Sequence, residues 1–157
     1  MNTIKVRDIE IGAGAPKIIV PIVGVTKEDI LNEAKTFDSI PVDVVEWRVD
    51  WFEHVFEFDK VEDVLKDLRN VLGNIPLLLT FRTKKEGGEK AIDTKDYKEL
   101  NLRAAKTGYV DFIDVEIFTG DDVVREIIDG AHAAGVKVIA SNHDFFKTPA
   151  KSDIIYR

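Results

Sequence analysis

The sequence predicts an α/β protein built on a parallel sheet, and three observations carry that expectation. Short apolar, β-branched runs alternate with longer stretches of helical spacing, about five of the former and four complete examples of the latter. The runs are apolar on both faces, as in strands covered from both sides. Helix-start and helix-stop residues fall between them. Strict alternation of this kind implies right-handed crossovers between parallel strands.

Before the alternation begins, Ile4-Lys5-Val6 and Ile9-Glu10-Ile11 flank Arg7-Asp8 and predict a two-stranded hairpin within residues 1–12. Residues 17–23 form the first buried strand, although Pro21 argues against a central position. Thr26 caps a helix to about Phe37, with Glu28 and Asp29 in its first turn, where the helix dipole favours acids. Residues 42–49 are the second strand, and Asp59 starts a helix whose Val61, Val64, Leu65 and Leu68 share one face. The third strand spans 75–82, followed by a polar loop with Gly87-Gly88 and a helix over 94–106 that Gly108 closes. Residues 110–117 are the fourth strand, and Thr119-Gly120-Asp121-Asp122 opens a helix ending near Gly135. The fifth strand runs from Val136 into Ser141-Asn142-His143-Asp144-Phe145. Thr148-Pro149 then supplies an N-cap and first-turn pair for one more helix.

The 157 residues, 45% of them hydrophobic, suffice for a single domain, residues 1–157, with a substantial core. A closed eight-unit barrel needs roughly 250 residues. Five units therefore mean either part of a barrel or an open, doubly wound sheet. The first strand is followed by Gly24-Val25-Thr26-Lys27, which lacks the glycines of a phosphate-binding turn. A net charge of −7 argues against nucleic-acid binding. No apolar run approaches a membrane span, and no signal-peptide pattern opens the chain. The absence of cysteine suits a cytoplasmic protein.

The chemistry gathers at the strands' carboxyl ends. Residues two apart share a strand face, so Glu46, Arg48 and Asp50 align on the second strand, with Thr80 and Arg82 on the third. Asp114 and Glu116 align on the fourth, and Ser141 and His143 on the fifth. Four successive strands thus end in charged or protonable groups, where α/β enzymes place their sites. Arg48 and Arg82 can hold a carboxylate or hydroxyls through forked hydrogen bonds. Histidine is the side chain whose ordinary pKa lies nearest neutrality, which makes His143 the candidate general acid/base. Glu86 can orient it. His54 and His132 read as surface residues, and no spacing suggests a metal site.

Glu46-Trp47-Arg48-Val49-Asp50, Thr80-Phe81-Arg82 with Glu86-Gly87-Gly88-Glu89, Asp114-Val115-Glu116, and Ser141-Asn142-His143-Asp144-Phe145 with Thr148-Pro149 resemble the type I 3-dehydroquinate dehydratase family. The resemblance runs from the hairpin to Arg157. It implies a (β/α)8 TIM barrel, here a partial barrel of about five units. It also implies a hydro-lyase that converts the small molecule 3-dehydroquinate to 3-dehydroshikimate without metal or organic cofactor. His143 matches the family's acid/base and Glu86 its supporting carboxylate, while Glu46, Arg48 and Arg82 match substrate-binding positions. Pro21 replaces a substrate-binding serine. The family's imine-forming lysine lies on a sixth strand, beyond Arg157, as do a further substrate arginine and a late loop. Lys137, Lys84, Lys85 and Lys147 are not evident substitutes. The chain alone is therefore expected to be inactive. Exposed barrel edges are expected to pair it with a second copy, as a homodimer, or with a complementary fragment; the alternative reading is a non-catalytic assembly module.

Overall fold

The computed structural model describes residues 3–156. Its main sheet contains β3 (Ile19–Ile22), β4 (Val44–Arg48), β5 (Leu77–Thr80), β6 (Phe112–Glu116) and β7 (Lys137–Ser141), all parallel and adjacent in chain order. The helices α1 (Lys27–Lys35), α2 (Phe58–Leu72), α3 (Thr94–Lys106) and α4 (Asp121–Ala133) connect them. A doubly wound sheet would reverse its strand order at a switch point. Here the order never reverses, so the barrel alternative stands.

Burial separates the two faces of the sheet. Ile22, Val45, Trp47, Leu77, Leu79, Ile113 and Val115 pack against the helices in one large core. The opposite face carries a smaller cluster: Val44, Leu78 and Phe112, with Ile139 beside them. No helix covers this second face. Its lower end is filled by the hairpin of β1 (Ile4–Val6) and β2 (Ile9–Ile11), whose Val6, Ile9 and Ile11 join the cluster. Arg7, in a left-handed conformation at the hairpin turn (φ 49°), donates to Asp111 at 2.7 Å. Asp111 also accepts from Arg69 and from the Leu77 backbone N–H, both at 2.8 Å, so one carboxylate fastens hairpin, helix and strand.

Local chemistry explains the element boundaries. Thr26 and Asp29 form a reciprocal capping box: the Asp29 N–H donates to Thr26 Oγ1 and the Thr26 N–H to the Asp29 carboxylate. The helix ends at Lys35, and a 3-10 turn over Thr36–Ser39 carries Phe37 into the core. Pro21 lies on β3, an edge strand, where a missing N–H breaks no ladder. The last helix, α5 (Lys151–Tyr156), starts later than Thr148-Pro149 suggests. The Ala150 carbonyl accepts its first bonds, and none of its residues is buried to extend it.

Candidate active site

The sheet face left uncovered by helices ends, above Val44, Leu78 and Phe112, in the polar residues of the strand termini. The 3-10 turn Val49–Trp51 breaks β4 and turns Asp50 inward to complete burial. Asp50 accepts both Arg48 Nε and Nη2 at 2.8 Å, a two-pronged pair. It also accepts the backbone N–H groups of Arg82 (3.3 Å) and Glu89 (3.1 Å), tying the end of β4 to the loop after β5. Asp50 thereby holds the Arg48 guanidinium firmly in its charged form. Lys90 donates to the carbonyls of Asp50 and Phe52, and burial lowers its basicity.

Arg82 is 7% exposed and lies among three carboxylates. Its Nη2 donates to Asp114 and its Nη1 to Glu116, both at 2.9 Å, while Nη1 also reaches Ser141 Oγ at 3.0 Å. Glu86 lies 3.8 Å away. Glu116 further accepts the Thr83 N–H and hydroxyl, at 2.9 and 2.7 Å. From α3, the Tyr97 hydroxyl accepts the Glu116 N–H at 3.0 Å, and burial pushes its phenol well above the ordinary value. Neither Thr83, Tyr97 nor Lys90 was singled out by the sequence. Nothing in a threonine beside a strand, an apolar-face tyrosine or a loop lysine signals these bonds.

Glu86 sits at the end of a 3-10 turn and is 8% exposed. It accepts the His143 backbone N–H at 2.9 Å, Asn142 Nδ2 at 3.0 Å, and faces His143 Nδ1 at 3.1 Å. The loop that places it needs two glycines. Gly87 adopts φ 87°, with the Phe145 ring where a Cβ would project, and Gly88 passes so close that a Cβ would sit 1.8 Å from the Arg82 carbonyl oxygen. Phe145 stacks on the His143 ring, with centroids 6.3 Å apart and planes 15° from parallel.

The structure thus brings Arg82, Glu86 and His143 into one connected network, with Arg48 held nearby through Asp50. Glu46, on the same face of β4, is half-buried and makes no hydrogen bond among the described residues. His54 lies apart, paired with Glu57 on the surface, and His132 is on α4. Lys84, Lys85 and Lys147 are exposed, and Lys137 begins β7, at the far end of the strand from His143.

The family model for type I 3-dehydroquinase matches residues 18–157. The chain belongs to that family. It is 54% identical over 154 residues to the 3-dehydroquinate dehydratase of Clostridium botulinum, covering 98% of this chain and 61% of that relative. Against the crystal structure of the type I enzyme from Clostridium difficile, solved with covalent modified comenic acid, the fold superposes with a TM-score of 0.97 at 50% identity. That match covers 99% of this chain and 62% of that one. The Enterococcus faecalis 3-dehydroquinate dehydratase gives 0.94 at 43% identity, over 98% of this chain and 64% of the other. The chain therefore spans about three-fifths of the family members it matches, and its five parallel strands are the corresponding part of a TIM barrel.

Proposed function

We propose that this chain supplies the acid/base and substrate-holding part of a 3-dehydroquinate dehydratase. The observation that carries the reading is the Glu86–His143 pair, in which one buried carboxylate takes both the His143 backbone N–H and Nδ1. Nδ1 is thereby occupied, which leaves Nε2 for proton transfer. In the reaction, a lysine amine condenses with the substrate ketone to an imine and releases water. The imine draws electrons from the neighbouring carbon. His143 then removes the proton from that carbon and hands it to the departing hydroxyl, which leaves as water. Hydrolysis of the imine returns the lysine and the product ketone. Arg82, Arg48 and Glu46 line the same mouth and orient the carboxylate and hydroxyls of the ring.

None of the lysines of this chain is placed for the imine. Lys90 is committed to two carbonyls, Lys84, Lys85 and Lys147 are exposed, and Lys137 is at the opposite end of β7. Turnover therefore requires a lysine from beyond these residues. The free sheet edges offer the junction: Ile18, Ile19 and Val23 are exposed beside β3, and Phe145, Phe146, Ile154 and Ile155 beyond β7. The same edges support pairing with a second copy or a complementary polypeptide. A cysteine-free chain acting on a soluble metabolite suits the cytoplasm.

Mixing the chain with the remaining family sequence, as a separate polypeptide, should generate the conjugated enone of 3-dehydroshikimate, followed by ultraviolet absorbance. The His143→Ala variant should lower the restored rate by about 10²–10⁴-fold, the ordinary range for a general acid/base. Undiminished turnover in that variant overturns the histidine's role. A borohydride-trapped substrate adduct on the chain alone overturns the conclusion about its lysines.

A further inference from the structure

The proposed reaction gives no task to Asp114, a buried carboxyl group that touches Arg82. Asp114 is 4% exposed and points from β6 toward the uncovered face, above Phe112. Its hydrogen bonds are one-sided. Arg82 Nη2 at 2.9 Å and Ser141 Oγ at 2.8 Å both donate to Oδ1. Oδ2 accepts from no described residue and is not among the buried unpartnered atoms, so it meets the open mouth. Its neighbour Glu116 contrasts with it: both oxygens are used, by Arg82, the Thr83 N–H and the Thr83 hydroxyl. Glu116 shares its donors between both oxygens, as a buried carboxylate does when donors are at hand. Around Asp114 both donors fall on Oδ1, which leaves Oδ2 room for a proton.

Its surroundings agree with that geometry. Facing the group are Glu46 from β4, Thr80 and Arg82 from β5 and its extension, Glu116 from β6, Ser141 from β7, and the Tyr97 hydroxyl from α3, 3.4 Å from the Asp114 carbonyl. Thr80 Oγ1, on the adjacent strand, is buried without a partner and does not bond Asp114. Burial pushes the Asp114 carboxyl upward and the Glu46 charge adds to this, while Arg82 and Ser141 oppose it; the net direction is up. The charge balance points the same way. The mouth holds the carboxyl groups of Glu46, Asp50, Glu86, Asp114 and Glu116 against the two guanidiniums of Arg48 and Arg82. Every ionised carboxylate beside Arg82 weakens the attraction of an anion to it.

We propose that Asp114 is a positioning residue for Arg82: it carries its proton on Oδ2, orients the guanidinium through Oδ1 without cancelling its charge, and so leaves that charge for an anionic substrate. The proposal rests on the reading of Arg82 as a substrate-binding residue. Neutral Asp114 keeps the anion site open. Ionised Asp114, with Glu116, closes the electrostatic circuit around Arg82 and pushes the anion away.

Two measurements on this chain test the idea separately from turnover. Carbon-13 resonances of the aspartate carboxyls, followed from about pH 2.5 to about pH 8 and assigned with Asp114→Asn, should show Asp114 still protonated at the pH at which substrate binds, where an ordinary aspartate of pKa about 3.9 is ionised. An ionised Asp114 at that pH overturns the proposal, whatever the fate of the functional reading. In the second measurement, 3-dehydroquinate is titrated against the chain and followed through the amide resonances. Affinity should fall about fivefold or more as pH rises through the Asp114 transition, the lower end of ordinary coupling between two groups. Asp114→Asn, which is neutral at every pH, should abolish that fall. A fall that persists in Asp114→Asn overturns the proposal. Absence of 3-dehydroquinate binding at any pH, with Asp114 titrating high, instead overturns the substrate-binding role of Arg82, and with it the positioning role.

Discussion

Replacing Asp50 by alanine should destabilise the chain by about 3 kcal/mol. Asp50 is fully buried and accepts four hydrogen bonds: two from the Arg48 guanidinium and one each from the Arg82 and Glu89 backbones. Breaking a buried ion pair by removing one partner costs about 3–5 kcal/mol, because the remaining charge stays unpaired. The Arg48 side chain is 23% exposed, so water recovers part of that cost and the low end applies. The Arg82 N–H bond is long at 3.3 Å and contributes little. With a urea dependence of about 2 kcal/mol per molar, the unfolding midpoint should fall by about 1.5 M. Asp50→Asn keeps one acceptor for the guanidinium and should lose about half as much. Urea unfolding followed by tryptophan fluorescence reads both variants, since Trp47 and Trp51 flank the site. A midpoint shift under about 0.5 M for the alanine variant, with an unchanged slope, refutes the view that Asp50 anchors this end of the sheet.

Two further outcomes follow from the loop and cap geometry. Gly88→Ala brings a Cβ within 1.8 Å of the Arg82 carbonyl oxygen, a backbone atom that cannot swing aside; it should cost at least about 2 kcal/mol and accelerate hydrogen exchange at the Gly88 amide, which now bonds the Thr83 carbonyl. Thr26→Ala removes the capping box of α1 and should lower stability by about 1 kcal/mol in the same unfolding assay.

Much of the architecture was legible because each element carries its own local signal. The Thr26 cap, the apolar face of α2 and the apolar runs of β4 to β7 are periodic features a chain displays before it folds. Pro21 argued for an edge position, and β3 is the edge. Barrel and doubly wound sheets share those local signals and differ only in which strands become neighbours, a property no single segment records. The alignment of Arg82, Asp114, Glu116, Ser141 and His143 at strand ends was visible from a period of two. Their pairing was not. Arg82 could equally have pointed free into the mouth, and only packing reveals that two carboxyl groups already grip it. Asp50 was readable as a strand continuation, but a 3-10 turn makes it a buried anchor, because Arg48 and the two backbone N–H groups need a shared acceptor. The start of α5 was misplaced since Thr148-Pro149 is a statistical preference, and no buried side chain enforces it.

The hairpin below the sheet gives the mouth a direction. Val6, Ile9 and Ile11 close the lower end of the uncovered face, and Arg7 locks them there through Asp111. The space above is therefore closed from below. On the proposed function, the hairpin side is shut to the substrate, which approaches His143 from the carboxyl ends of the strands. A dry stopper beneath Val44, Leu78 and Phe112 also keeps bulk water from rising under the polar network. Arg82, Asp114 and Glu116 are buried above it, and charges interact more strongly out of water. Three hairpin side chains, one from β1 and two from β2, thus form the floor beneath the charged groups around Arg82.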